Sequence, residues 1–341
     1  MDEAEEEAKA QRKAVVLTAP LALEGGLAAE HRPPNLLKQV FSLFRNVRPG
    51  SDLTRFQACL LPYLKLTTVS LDVQLSSLFN MPKSQLQCYG ETVYCCGEDY
   101  LQECARGKSS LERFTSVVAW SLSTTRPAIF GQAPFNPILG ETHHVSKGSL
   151  NVLLEQVTHH LCSSSSCETF LVSHHPPVSA LHATDSEHNL EMIWCHSPIP
   201  RFQGTSIEAT IKGKRQLRLL ASGENYEMDS PNLSIKLLPP TGADWLGNVR
   251  IKCEESGLRA DLCYYKSQVF LGFGGSCRSV KGTICHSKTL KTIYEIDGQW
   301  DRVIRLKDVH CGEVTVLYDA KKAISKLNTP ILVAPQVWIW P

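Results

Sequence analysis

Long apolar runs are missing from this 341-residue chain. Stretches such as Ala14-Val15-Val16-Leu17 and Ala58-Cys59-Leu60-Leu61 fall far short of the ~20 residues that a membrane-spanning helix needs. An excess of one charge is missing too. Lys plus Arg total 35 and Asp plus Glu 34, a net charge of +1, which argues against a nucleic-acid binder working by bulk charge. The first residues, MDEAEEEAKAQRK, are acidic where a secretory leader would be basic, so the expectation is an unexported, cytoplasmic protein. Thirteen cysteines, an odd number, are then expected as reduced thiols. HExxH and CxxC do not occur, and adjacent histidines on a strand point to opposite faces, so no metal site and no cofactor are expected. No GxSxG elbow supports Ser/His/Asp hydrolysis. Gly272-Phe273-Gly274-Gly275 lacks the setting of a phosphate loop and suits a tight turn or bulge.

What is present is globular. At 43% hydrophobic and 20% charged, the chain is neither disordered in bulk nor fibrous. Its length suits about two domains or one large barrel, with roughly three quarters of the extended surface buried. The Glu- and Lys-rich residues 1–13 read as a solvated helix or tail, and 14–26 as an extended surface segment. Pro33-Pro34-Asn35 starts an amphipathic helix that carries Leu36, Leu37, Val40, Phe41 and Phe44 and ends at Pro49-Gly50. This is either a helix packed on the core or a lid or membrane-touching element. Residues 58–77 fit neither period. A second helix over 109–125 places Leu111, Phe114, Val117, Val118 and Leu122 on one face and stops at Arg126-Pro127.

From about residue 150 short runs rich in Val, Ile, Leu, Tyr and Thr recur between turn residues. They include Ser206–Ile211, Gln216–Leu220, Leu233–Leu238, Asn248–Cys253, Arg259–Tyr264, Ser279–Ile284, Thr289–Ile296 and Val314–Tyr318. Turns are expected at Lys212-Gly213-Lys214, Ser222-Gly223-Glu224, Ser256-Gly257 and Asp297-Gly298-Gln299. The pattern predicts helices first, then a long antiparallel meander forming a sandwich or barrel.

Two motifs carry candidate chemistry. Pro134-Phe135-Asn136-Pro137-Ile138-Leu139-Gly140-Glu141 has two prolines that fix φ, an amide at Asn136 and a glycine that permits an unusual turn. Ser173-His174-His175-Pro176-Pro177 is a rigid turn presenting two imidazoles, which can donate hydrogen bonds to an anionic head group. Each is either a structural turn or part of a polar rim.

Together these motifs resemble the oxysterol-binding protein family, specifically the lipid-binding domain of its plant members. Gly50-Ser51-Asp52-Leu53-Thr54, Gly223-Glu224-Asn225-Tyr226 and Gly298-Gln299-Trp300-Asp301 add to the resemblance, which spans roughly 35–320. It implies a mainly β fold with N-terminal helices (α+β), in which a near-complete antiparallel β-barrel encloses an apolar tunnel. It further implies a non-enzymatic carrier that moves a sterol or similar lipid between membranes, in exchange for phosphatidylinositol 4-phosphate, touching membrane surfaces transiently and binding no nucleic acid. Head-group contacts carry over to Asn136, to the backbone of Phe135, and to His174 and His175. Residues 15–48 would form the lid and entrance helix.

The sequence departs from the family pattern in three places. Glu155-Gln156-Val157-Thr158-His159-His160 begins the histidine motif and Val172–Pro177 completes it fifteen residues later, so His159 and His160 are an alternative pair. The prolines favour His174 and His175. Residues 58–77 and 158–172 look inserted, as in a splice product. The motif lysine is replaced by Ala133, and 331–341 form an atypical tail, from which weak phosphoinositide binding is expected. The domain reading is therefore an acidic tail and lid-like segment over 1–30, the lipid-binding domain over 31–330, and the tail. Other readings are a lipid sensor or scaffold without transfer, a compromised isoform, and, remotely, a His/Cys metallohydrolase.

Overall fold

Helices and strands assemble around one long antiparallel sheet. The structure, a computed structural model, describes residues 14–16, 18–24, 47–53, 80–130, 132–157, 177–239, 241–265, 278–327 and 331–333. The expected helix after Pro33-Pro34-Asn35, the 58–77 and 158–172 stretches, both histidine pairs and Gly272–Gly275 lie outside the described residues.

Helix α1 (Gln85–Tyr94) starts where the Ser84 hydroxyl accepts from Leu86 N–H. Helix α2 (Tyr100–Arg106) follows. Helix α3 (Ser110–Ser123) is the one expected over 109–125. Ser109 accepts from Glu112 N–H at 3.2 Å, while Glu112 reaches back to Lys108 N–H at 2.8 Å, a variant of the capping box. Its face of Phe114, Val117, Val118 and Leu122 is fully buried. Pro127 disfavours helical backbone at Arg126 and so limits extension.

The sheet has fourteen strands, whose path begins with β4 (Thr142–Lys147), β5 (Leu150–Val157), β6 (Val178–Asp185), β7 (Leu190–Phe202), β9 (Arg215–Leu219) and β10 (Glu224–Met228). It continues through β12 (Gly242–Cys253), β13 (Leu258–Tyr264), β14 (Ser279–His286), β15 (Thr292–Gln299), β16 (Val303–Asp308) and β17 (Val314–Asp319). Two further strands, β8 (Ser206–Lys212) and β11 (Asn232–Lys236), branch from it. The ends of the path, β4 and β17, are not paired with each other among the described residues. The eight runs named from Ser206 onward each fall on or beside a strand. The meander, however, begins earlier than residue 150, since β4 precedes it.

One turn expectation is corrected. Asp297-Gly298-Gln299 lies within β15, where Gly298 pairs with Val280 and Ile304, and the chain turns at the following residues. Glycine is required there by contact, since a Cβ on Gly298 would sit 2.2 Å from the Val303 carbonyl.

Period-two alternation decides which side chains face inward. In β5, Leu150, Val152, Leu154 and Gln156 are buried while Asn151, Leu153 and Glu155 are exposed. In β9 the same rule turns Arg215, Leu217 and Leu219 inward. The α3 face packs onto these inner residues, with Phe114 and Tyr226 ring centroids 5.9 Å apart.

Strand β7 changes partners midway. Its first half pairs with β6 and β9, and residues 197–202 leave them to pair with β8. Gly213, at φ +106°, makes the return from β8 to β9 possible, because a Cβ there would strike the Cys195 carbonyl at 1.8 Å. The freed edge of β7 receives Ser51 to Leu53, with Leu53 N–H bonded to Pro200 O at 2.8 Å. Strand β1 (Ala14–Val16) pairs antiparallel with β18 (Ile331–Val333), and β2 (Asn80–Ser84) parallel with β3 (Ala133–Phe135).

Candidate functional site

The divergence of β8 and β11 from the main path leaves a cavity of about 430 Å³ between those strands, β7, α1 and the segment after α3. Its wall is mainly apolar, with Leu21, Leu53, Met81, Ile129, Phe130, Ile207, Ile211, Leu233, Ile235 and Leu237 contributing.

The Pro134–Glu141 motif forms part of this wall. Gly140, at φ +79°, lets the chain turn so that its N–H reaches Gln156 O at 2.9 Å. Glu141 then anchors the turn: one carboxylate oxygen accepts from Ile138 N–H at 3.1 Å, the other from the Ser84 hydroxyl at 2.7 Å. The result ties the motif to the start of α1. Asn136 thereby lines the cavity, and its buried Oδ1 has no hydrogen-bond partner among the described residues. Phe135 is 46% exposed beside it, with Ile138 at 61% and Leu139 at 42%, so the wall meets the surface here. Of the site residues read from the sequence, Phe135 and Asn136 are thus brought to the cavity or its edge. His174, His175, His159 and His160 are outside the described residues.

Sequence reading missed the polar groups deeper in the wall. Arg215 donates to the Thr124 and Ser121 hydroxyls, each at 2.8 Å, and to Asp229 O at 3.1 Å, and lies 5.7 Å from the Trp120 ring centre. Burial lowers its pKa to about 10. Arg126 donates from Nη2 to the carbonyls of Glu91 and Cys95 at the end of α1, and burial lowers its pKa also. Trp245 fixes the Arg126 backbone through Nε1–H to O at 2.6 Å. His196 stacks on Trp194 at 5.3 Å with 7° between planes and bonds the Ser230 hydroxyl at 3.1 Å. Burial, with Arg215 nearby, depresses its pKa to about 3, so it is neutral at pH 7. Glu91 is held by Lys83 at 2.7 Å and Gln87 at 3.0 Å, yet burial raises its pKa. The only available signal for Arg215 was its place in the alternation Arg215, Leu217, Leu219.

Burial pushes the Cys88 thiol up to about 12, far from the thiolate that covalent chemistry needs. Among the described residues no group of three His, Cys, Asp or Glu side chains could hold a metal, and no helix is long and apolar enough to cross a membrane. The described cysteines are free thiols.

An antiparallel sheet beside a mainly apolar cavity that reaches the surface can bury a small apolar or amphipathic ligand. The oxysterol-binding protein family model matches residues 66–331. Oxysterol-binding protein-related protein 4C of Arabidopsis thaliana is 43% identical over 323 residues, covering 94% of this chain and 77% of that protein. The Osh1 ORD domain in complex with ergosterol superposes with a TM-score of 0.62 at 23% identity, covering 92% of this chain and 68% of that one. The Osh3 ORD of Saccharomyces cerevisiae in complex with PI(4)P gives 0.54 at 21%, covering 80% and 66%. The chain belongs to the oxysterol-binding protein family.

Proposed function

We propose that the chain is a non-enzymatic lipid carrier whose sheet closes as a near-complete barrel around a lipid tunnel. It takes a sterol or similar lipid from one membrane, transiently, and delivers it to another, with phosphatidylinositol 4-phosphate as the exchange ligand. The observation that carries this reading is the cavity: about 430 Å³, mainly apolar, and bordered by Asn136 with an unpartnered buried oxygen. A volume of this size suits a small amphipathic ligand, and each Å² of its hydrocarbon removed from water contributes ~25 cal/mol. Relatives in complex with ergosterol and PI(4)P support the same ligand classes. Asn136, Phe135 and the pair His174 and His175 serve the head group.

Mass spectrometry of lipid released from the purified chain, followed by liposome-to-liposome transfer of that lipid, tests the proposal. Stoichiometric lipid and accelerated transfer are expected. A purified, folded chain that carries no lipid and accelerates nothing would overturn it.

A further inference from the structure

The cavity wall holds more positive charge than its own residues neutralise. Lys83 and Glu91 cancel each other at 2.7 Å, and His196 is uncharged. Arg126 and Arg215 remain, both essentially buried and both on the cavity wall. Among the described residues neither has a carboxylate partner. Each is instead seated on a helix end: Arg126 on the last carbonyls of α1, Arg215 on the Ser121 and Thr124 hydroxyls at the end of α3. The negative end of each helix favours a cation, and the nearby charges of Glu91 and Asp229 act in the same direction on Arg126 and Arg215, yet among the described residues no carboxylate oxygen is bonded to either guanidinium. The remaining nitrogens, Nε and Nη1 of Arg126 and Nε of Arg215, are buried donors without an acceptor among the described residues. Trp194 Nε1–H, on the same wall, is a further donor without an acceptor among the described residues.

We infer that Arg126 and Arg215 form an electropositive pole inside the cavity that selects a ligand by an oxyanion on its buried end, a carboxylate, sulfate or phosphate carried on a hydrophobic body. This rests on the lipid-carrier reading and refines it. A neutral hydroxyl can accept one or two of these hydrogen bonds but leaves the charge uncompensated. An oxyanion accepts several at once and in the charge-assisted form, which is roughly twice as strong. The hydrophobic body fills the apolar wall in either case, so the pole decides between ligands that share a body.

Cholesterol and cholesteryl sulfate are such a pair. Each is titrated against the intact chain loaded with a fluorescent sterol, at low and high salt, with inorganic sulfate as a third competitor. The sulfate ester is expected to displace the probe at a concentration at least about tenfold lower than cholesterol, equivalent to about 1.4 kcal/mol. Inorganic sulfate is expected to displace nothing, which separates a lipid-borne oxyanion from a free one. Arg215→Gln and Arg126→Gln should each bring the displacement concentrations of the sulfate ester and cholesterol to within about threefold of one another, whatever happens to their common affinity, and Arg215→Lys should retain part of the gap. Should the glutamine variants fail to fold, dodecyl sulfate against dodecanol on the wild-type chain repeats the comparison on a second body. Equal affinity within either pair, or tighter cholesterol, overturns the pole. A chain that binds neither the probe nor any of these amphipaths overturns the carrier reading itself, a distinct result.

Discussion

Arg113 of α3 grips Glu224 of β10 through two parallel hydrogen bonds, Nε to Oε2 and Nη2 to Oε1, both 2.7 Å. The Tyr226 hydroxyl donates to the same carboxylate at 2.7 Å. Helix and sheet are therefore fastened by a planar, charge-assisted fork at the inner face of the strand. Burial by itself would raise the Glu224 pKa, but bonds from Arg113, Tyr226 and Ser110, with the Arg113 charge, bring it down to about 2.

Glu224→Gln keeps the shape and removes the charge, so it should destabilise the chain by about 2–3 kcal/mol in urea unfolding at pH 7. The pH dependence follows from the depressed pKa. The contribution is fully present above the unfolded carboxylate value of about 4.5 and is lost as pH falls from there towards 2. The variant should lack that acid loss; a stability change below about 0.5 kcal/mol would show that the fork does not fasten α3.

Two histidines act in a higher pH window. His143 bonds the Tyr94 hydroxyl at 3.0 Å, and burial, with His144 and Lys83, lowers its pKa to about 4. His196 falls to about 3. Below about pH 6.5 the unfolded chain takes up protons at both positions and the folded chain does not. Stability should therefore decline as pH drops from 6.5, by up to ~1.4 kcal/mol per pH unit for each histidine. Urea midpoints measured between pH 7 and 5 check this, and the double variant His143→Gln with His196→Gln should flatten the profile. A wild-type profile already flat over that range would contradict the buried neutral state of both rings.

How much of this was legible in the sequence varies with the range of the interaction. Helix α3 was legible because its signals are local: one apolar face, and Arg126-Pro127 at the end. Eight strands from Ser206 onward were legible for the same reason, alternation over a few residues, while β7, β10 and β16 were not picked out. Gly298 marked a special position, but a glycine that admits a neighbouring carbonyl reads the same as one that turns the chain. Asn136 stood out in its motif of fixed turns. Arg215 did not, because a guanidinium at an inward strand position contradicts burial until Ser121 and Thr124 arrive from 91 to 94 residues earlier. His196 was hidden likewise, its partners Trp194 and Ser230 coming from its own strand and from beyond β10.

Ala209 offers a direct block of the cavity. It lies on β8 opposite Pro200, half-buried and on the wall. Ala209→Trp adds a large apolar side chain to a space rather than to a packed core, so the cost in stability should stay within about 1–3 kcal/mol. Lipid recovered by mass spectrometry should fall several-fold while the thermal transition stays cooperative. Unchanged lipid content would mean that the bound molecule sits elsewhere.

The surface edge of the cavity makes the opposite kind of prediction, a gain. Ala133 is exposed on β3, lines the cavity, and stands three residues before Asn136, where the family motif carries lysine. A lysine there would add an ammonium beside an unpartnered amide oxygen and a ready donor for a phosphate, and a charge-assisted hydrogen bond of this kind contributes about 1.5–3 kcal/mol. Ala133→Lys should accordingly raise capture by liposomes containing phosphatidylinositol 4-phosphate about tenfold or more, with the gain shrinking at high salt. Asn136→Ala should lower capture in both backgrounds. The histidine pairs divide in the same assay: His174→Ala with His175→Ala is expected to abolish the gain, and His159→Ala with His160→Ala to leave it intact. If the upstream pair proves the sensitive one, the register of the head-group site shifts by fifteen residues; if the lysine brings no gain at all, the Pro134–Glu141 turn does not face the phosphate.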